Sequence, residues 1–245
     1  MVSLMRKAKI RLYVEQPLAD GQSLTLSRDQ AHYLFGVMRQ RVGGQILVFN
    51  GRDGEYLAEI VEAGKRSGVL YCRQQTRVLQ MPPDLWLLFA PIKKVRTDFI
   101  VEKAAELGVA RIFPVQTRFT NSDRVRQDRL QAHVIEATEQ CGGTFVPPVE
   151  DLQPLDKLLE KWPQDRQVVF CDESLVGCKA NLIATSDIQK WAILVGPEGG
   201  FSDEERKRLA HLPYVTTISL GPRILRADTA AVAALALWHS TLGDW

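Results

Sequence analysis

Apolar and polar positions follow two regimes along the chain. Up to about residue 80 the apolar runs are short and punctuated by glycine. Gln45–Phe49 and Glu55–Ile60 flank an Asp53-Gly54 turn and read as a hairpin, and Gly68–Cys72 reads as a further strand. Ser27, with Gln30 three residues on, marks a short helix over Arg28–Met38 before Gly43-Gly44. Short strands joined by glycine turns predict a small β-barrel that closes its own sheet edges. Gln80-Met81-Pro82-Pro83-Asp84 then stops both helix and ladder, dividing the chain into domains over 1–79 and 84–245.

Beyond that break, continuous apolar strands alternate with helical patterns. Leu85–Ala90 is followed by a helix from about Asp98 to Leu107 that ends at Gly108. Arg111–Val115 precedes a helix near Gln127–Gln140, and Gln167–Cys171 is a third strand. Alternation of this kind predicts an α/β domain built on a largely parallel sheet covered on both faces.

Two strands end in the same way. Ala192–Val195 runs into Gly196-Pro197-Glu198-Gly199-Gly200, and Val215–Leu220 runs into Gly221-Pro222. After the first loop, Ser202 and Glu205 form a capping box, with Asp203 and Glu204 in the same turn. Carboxylates thus occupy the helix end where a phosphate would otherwise sit, and neither loop matches GxxxxGK[ST] or GxGxxG. After the second loop, Asp228 or Thr229 is expected to cap the Ala-rich run Ala230–Trp238. Loops at the carboxyl ends of strands are where open α/β sheets bind ligands. Leu194, Ile218, Leu220, Ile224 and Leu225 offer apolar walls for a flat ring, flanked by Arg223 and Arg226. Gly196, Gly199 and Gly200 let backbone groups approach it.

Composition changes this picture little and charge somewhat more. Of the 245 residues, 45% are hydrophobic and 24% charged, as in ordinary globular proteins. The first residues lack a signal-peptide pattern, and no apolar run approaches the roughly 20 residues of a membrane span. The cysteines Cys72, Cys141, Cys171 and Cys178 form no CxxC pair, so buried thiols in a cytoplasmic protein without a metal site are expected. Residues 1–80 carry 12 Lys+Arg against 7 Asp+Glu, and the remainder 19 against 22. Basic clusters lie at Arg6, Lys7, Lys9 and Arg11, at Arg39 and Arg41, and at Lys93, Lys94 and Arg96. A polyanion such as RNA accounts for them slightly better than a merely solvated surface does.

LVGPEGG and SLGPRILRADTA, about twenty residues apart, resemble the knotted loops of SPOUT-class RNA methyltransferases. Within that class the chain resembles the bacterial 16S rRNA uridine-N3 methyltransferases of the RsmE type. Further matching pieces are His32 with Val37-Met38-Arg39, Lys93, Arg96-Thr97-Asp98, Lys103 with Glu106-Leu107-Gly108, Arg118, and Glu139-Gln140. The chain departs from the pattern at Asp228, where glutamate is usual, at Lys94, where glycine is common, and at Gly143, where arginine is frequent.

The resemblance implies a PUA-like RNA-binding barrel followed by a SPOUT α/β domain with a deep C-terminal trefoil knot. It implies S-adenosyl-L-methionine as cofactor, 16S rRNA of the small subunit as substrate, and a homodimer. Cofactor-binding positions would be Leu194, Val195, Gly196, Pro197, Gly199, Gly200, Ile218, Ser219, Leu220, Gly221, Arg223, Ile224, Leu225 and Thr229. RNA would meet Arg6, His32, Arg39, Arg41, Lys93, Arg96 and Arg118. Arg226 is expected to stabilise charge developing on the uridine oxygens. Glu198 or Asp228 would accept the N3 proton or simply fix the loops, with a cap as the favoured role of Asp228. A non-catalytic RNA-binding protein, a SPOUT enzyme acting on another RNA, and a nucleotide-dependent enzyme are the alternatives.

Overall fold

The computed structural model describes residues 8, 10–122, 124–177 and 189–245. Arg6, Lys7, Lys9 and Cys178 lie outside the described residues. The chain forms two compact units, one of Met1–Met81 with Thr138–Val146 and one of Pro82–Ala137 with Pro147–Trp245.

The first unit is a mixed five-stranded sheet. Its strands are β1 (Arg11–Tyr13), β2 (Ser23–Thr25), β3 (Gln45–Phe49), β4 (Glu55–Ala63) and β5 (Gly68–Arg77), in the order β1-β3-β4-β5-β2. The hairpin β3–β4 pairs Phe49 with Glu55 around the expected turn. β1 joins β3 in parallel, whereas every other pairing in this sheet is antiparallel. The expected closed barrel is corrected to an open half-barrel, because β1 and β2 are its two edges and do not pair with each other among the described residues. Leu24, Leu34, Ile46, Ile60 and Leu70 fill its core.

The expected helix Arg28–Met38 divides in two. α1 (Arg28–Ala31) begins on the Ser27–Gln30 capping box and continues as a π-helical turn over His32–Val37. The Met38 amide there donates to the Tyr33 carbonyl, five residues back. Glu55 is buried and held by Arg11, Arg77 and Thr76. Burial alone would raise its carboxyl pKa, but these partners outweigh burial and keep it below the usual range.

The second unit is a six-stranded sheet, parallel throughout its recorded pairings. It comprises β6 (Leu85–Phe89), β7 (Arg111–Gln116), β8 (Gln153–Pro154), β9 (Arg166–Cys171), β10 (Lys190–Val195) and β11 (Val215–Ile218), in the order β11-β9-β10-β6-β7-β8. The helices are α2 (Lys94–Glu106), α3 (Gln127–Cys141), α4 (Leu155–Glu160), α5 (Asp203–Ala210) and α6 (Ala227–Thr241).

α2 starts four residues before the expected Asp98, on Lys93 as an N-cap without a side-chain capping bond, and the loop before it is held by Thr97. Its Oγ1 accepts from the Ile92 amide and donates to the Ile92 carbonyl, both at 3.0 Å. Buried strands need continuous apolar sequence, and β6 and β10 supply it: Leu85, Leu87, Leu88, Phe89, Ile193 and Leu194 are all fully buried. Arg166 lies 3.6 Å above the Trp86 ring and pairs with Asp84 at 2.8 Å, so its charge enters this core already partnered. No described helix is long and apolar enough to cross a membrane. Cys72 and Cys171 are buried, but Cys141 is exposed, which corrects the expectation of buried thiols at that position.

Candidate cofactor and substrate site

Three neighbouring strands deliver the site. In the β11-β9-β10 portion of the sheet, Ile218 pairs with Cys171, and Cys171 with Val195. The last residues of all three strands are therefore level, and parallel pairing sends all three following loops out of the same edge. Between them lies a cavity of about 180 Å³.

Of the expected cofactor positions, Val195, Gly196, Pro197, Gly200, Ser219, Leu220, Gly221, Arg223, Ile224 and Leu225 line this cavity, as do Arg226 and Glu198. Leu194 and Ile218 lie in the core beneath it. Gly199 sits against Phe119, where an added Cβ would come within 3.1 Å of the Phe119 Cβ. Thr229 is exposed on the first turn of α6.

Sequence reasoning missed the third wall. Cys171 ends β9, Asp172, Glu173 and Val176 follow it, and Ala227 and Ala230 come from α6. No glycine-proline pair marks the end of β9; its only signal was that Cys171 ends a predicted strand. Burial pushes the Cys171 thiol up to about 12, so it lines the cavity as a neutral, weakly polar group.

The first loop is rigidly tied. Gly196 must be glycine because a Cβ there would collide with the Phe201 ring, which stands edge-on to Phe170 at 4.8 Å. Gly200 has φ +69°, and a Cβ there would strike the Glu173 carboxylate. That carboxylate accepts from the Phe201 amide at 3.2 Å and pairs with Arg206. Arg206 also reaches Asp172 at 3.2 Å and Asp203 at 3.3 Å.

At the start of α5 the capping box is present. The Ser202 amide donates to Glu205 Oε2 at 2.8 Å, and the Glu205 amide donates to Ser202 Oγ at 3.2 Å. The remaining oxygen, Glu205 Oε1, accepts from the Arg118 amide at 2.8 Å. This helix end is filled by the protein's own carboxylates, as its sequence requires.

The second loop differs. The expectation that Asp228 or Thr229 caps α6 is overturned: the N-cap is Arg226, which has extended backbone angles and makes no side-chain capping bond. Asp228 falls inside the first turn, where Oδ1 accepts from the Thr229 amide at 2.9 Å. Its Oδ2 lies 3.7 Å from Arg96 Nε, while Arg96 Nη1 donates to Glu198 Oε1 at 2.8 Å. Arg96, expected on RNA, thus joins a carboxylate of one loop to a carboxylate of the other. Arg223 and Arg226 make no ion pair among the described residues, and Ile224 beside them is 76% exposed. Among the cavity's charged groups, the acids carry internal partners and the two arginines do not.

Lys93 is the exposed N-cap of α2. A second cavity, lined by Lys93, Lys94, Asn121 and Ser122, shares Pro197 and Glu198 with the first. The Arg118 side chain is exposed. In the first unit His32, Arg39 and Arg41 are exposed, and Arg39 adopts a left-handed φ of 53°.

Comparison with known proteins places this geometry. The family described as RNA methyltransferase domain matches residues 80–239, and the one described as RNA methyltransferase PUA domain matches residues 26–70. The chain is 34% identical over 233 residues to ribosomal RNA small subunit methyltransferase E of Rickettsia conorii, covering 92% of this chain and 93% of that protein. Among solved structures it resembles ribosomal RNA small subunit methyltransferase E of Neisseria gonorrhoeae, bound to S-adenosyl methionine. That match has a TM-score of 0.87 at 28% identity and covers 96% of this chain and 99% of the other. A Legionella pneumophila methyltransferase in complex with the same cofactor gives a TM-score of 0.85 at 29% identity, with coverage of 96% and 99%.

Proposed function

The chain belongs to the ribosomal RNA small subunit methyltransferase E family of RNA methyltransferases, and we propose that it methylates N3 of a uridine in 16S ribosomal RNA using S-adenosyl-L-methionine. The observation that carries this reading is the cavity at the level ends of β9, β10 and β11. Its apolar walls, Val195, Leu220, Ile224 and Leu225, suit an adenosyl group. The neighbouring helix end is closed to anions by Glu205, so the cavity offers no phosphate cradle and suits an adenosyl sulfonium better than a dinucleotide. The residues present therefore fit the cofactor, which supplies an electrophilic methyl group.

The chain's own residues do the rest. Losing the N3 proton spreads negative charge onto uridine O2 and O4, and Arg226, which lines the cavity and has no ion pair among the described residues, would donate to those oxygens. Arginine stays protonated and cannot be the base. Glu198 either accepts the N3 proton or, through Arg96, holds the first loop against α2. N3 lies on the Watson–Crick edge, so the uridine must be unpaired when it reacts.

The finer features of the family belong to the same proposal. The first unit, with His32, Arg39 and Arg41, and the second, with Lys93 and Arg118, would share RNA binding. The segment after β11 would thread a trefoil knot, as the resemblance of its loop to those of knotted RNA methyltransferases implies. Homodimerisation is supported by Val95 and Phe99, exposed one turn apart on α2, and is tested by sedimentation.

The decisive experiment is mass mapping of 16S rRNA from cells lacking this protein. One N3-methylated uridine should disappear and return on incubation with the purified protein and S-adenosylmethionine. Unchanged methylation, or loss of a different modification, would overturn the proposal.

A further inference from the structure

The first unit holds a cavity of its own, remote in sequence from the loops above. It is lined by Ala31, His32, Phe35, Gly36, Ala63, Gly64 and Lys65. Two of these are rings, and each is set in place by a glycine. A Cβ on Gly36 would come within 3.0 Å of His32 Nδ1, so the bare glycine is what lets the imidazole fold back over the π-helical turn. A Cβ on Gly68 would come within 2.6 Å of Phe35 Cε2, so the start of β5 is bare beneath the phenyl ring. Of the other lining residues Ala31, Gly36, Ala63 and Gly64 are small, and Lys65 is the one cation. Single π turns recur at functional sites because they displace side chains from the α-helical pattern. The chain after this one also contains Arg39 at a left-handed φ, a conformation costly for a non-glycine residue.

The surroundings fit one chemistry. Residues 28–44 and 61–68 carry Arg28, Arg39, Arg41, Lys65 and Arg66 against Asp29 and Glu62 alone. Val37, Met38, Val42 and Val61 in the same segments are exposed although apolar. An aromatic slot with small walls, apolar neighbours and a basic rim is the combination by which proteins hold single-stranded nucleic acid: the rings stack a base and the cations follow the phosphates.

We infer that this cavity is a nucleobase slot, in which His32 and Phe35 receive one unpaired base of the RNA while Lys65 and the nearby arginines meet its backbone. The inference rests on the RNA-binding reading of the first unit and goes beyond it. It assigns His32 to a base rather than to a phosphate, and it brings in Phe35, Gly36 and Lys65.

The test measures binding of the full-length protein to an eight-nucleotide oligouridylate, an oligoadenylate, and an abasic ribose-phosphate chain of equal length. The wild type should prefer the base-bearing chains by about 5- to 150-fold, the range expected for stacking one base. His32→Ala should remove most of that preference while leaving the affinity for the abasic chain unchanged. Gly36→Ala, which keeps the imidazole but displaces it, should do the same. Lys65→Glu should weaken all three chains alike. Thermal melting of each variant checks that the exposed substitutions leave the fold intact. A preference retained in both His32→Ala and Gly36→Ala, or absent from the wild type, would overturn the slot. Failure of the methyltransferase reading would instead appear as unaltered 16S rRNA methylation in cells lacking the protein, whatever the oligonucleotides show.

Discussion

The helices after the two glycine loops begin in opposite ways. At α5 the acids around the helix start are engaged, Glu204 excepted: Glu205 takes the Ser202 and Arg118 amides, Glu173 takes the Phe201 amide, and Arg206 gathers Asp172, Glu173 and Asp203. At α6 the N-cap is an arginine with no capping bond, and only Asp228 reaches an amide of the first turn. Uncapped helix starts leave backbone donors free. One loop thus presents a fixed wall to the cavity, whereas the other keeps a guanidinium and backbone donors available to whatever enters. A site needs both, since a ligand is oriented by what does not move and activated by what is not already neutralised.

The contrast is tested most severely at Arg226. Arg226→Ala should lower the single-turnover methyl-transfer rate about 10²- to 10³-fold, the usual effect of removing one donor to a developing oxyanion. Calorimetric affinity for S-adenosylmethionine should stay near that of the wild type. If affinity falls in step with rate, Arg226 serves the cofactor and not the uridine. The two loops would then differ in rigidity but not in role.

Glycine substitutions sharpen the comparison at the level of stability. Gly196→Ala and Gly200→Ala should each cost about 1–3 kcal/mol in chemical denaturation, because the new methyl meets the Phe201 ring or the Glu173 carboxylate. Both should also weaken cofactor binding. In the second loop Gly221 has φ +112° but nothing within 4 Å of an added Cβ. Gly221→Ala should therefore cost only backbone strain, about 1–2 kcal/mol. Should Gly221→Ala prove the most disruptive of the three, the second loop is the tightly fitted one and the comparison is inverted.

The same contrast explains what could be read from the sequence. The capping box at Ser202 was legible because it is local, with donor and acceptor three residues apart. β6, β9 and β10 were legible because strands buried on both faces carry unbroken apolar runs. The start of α6 was misread, since Asp228 looks like a cap by composition but is drawn into the first turn, where Arg96, 132 positions away in the chain, also approaches it. Asp172 and Glu173 were missed for a related reason. They are made part of the cavity by the register of β9 against β10 and β11, and register is a tertiary property. β1 and β2 are three residues each, too short for any period to emerge. The π-helical turn went unseen because its first turn reads as an ordinary capped helix.

Loss of the cap itself should matter less than the glycines. Ser202→Ala should destabilise the second unit by about 1 kcal/mol, as measured by its denaturation midpoint. A negligible change would mean that Glu173 and Arg206 hold the first loop without help from the box.

The smallest expected effect on stability lies at Arg96, and it separates the two roles left open for Glu198. The pair is partly exposed, with side-chain exposures of 29% and 41%, so Arg96→Ala should change stability by only about 0.2–1 kcal/mol. Its kinetic consequences depend on what Glu198 does. If the carboxylate is an anchor, freeing it loosens the loop: KM for S-adenosylmethionine rises, kcat stays near wild type, and Glu198→Gln reproduces the effect. If the carboxylate is the base, Glu198→Gln lowers kcat steeply. Arg96→Ala should then lower kcat as well, because the carboxylate loses the partner that orients it. The observed geometry favours the anchor, since Glu198 Oε1 already accepts a hydrogen bond from Arg96 at 2.8 Å. A steep kcat defect in Glu198→Gln, with KM for S-adenosylmethionine near that of the wild type, would reverse that assignment and make the first loop chemically active as well as fixed.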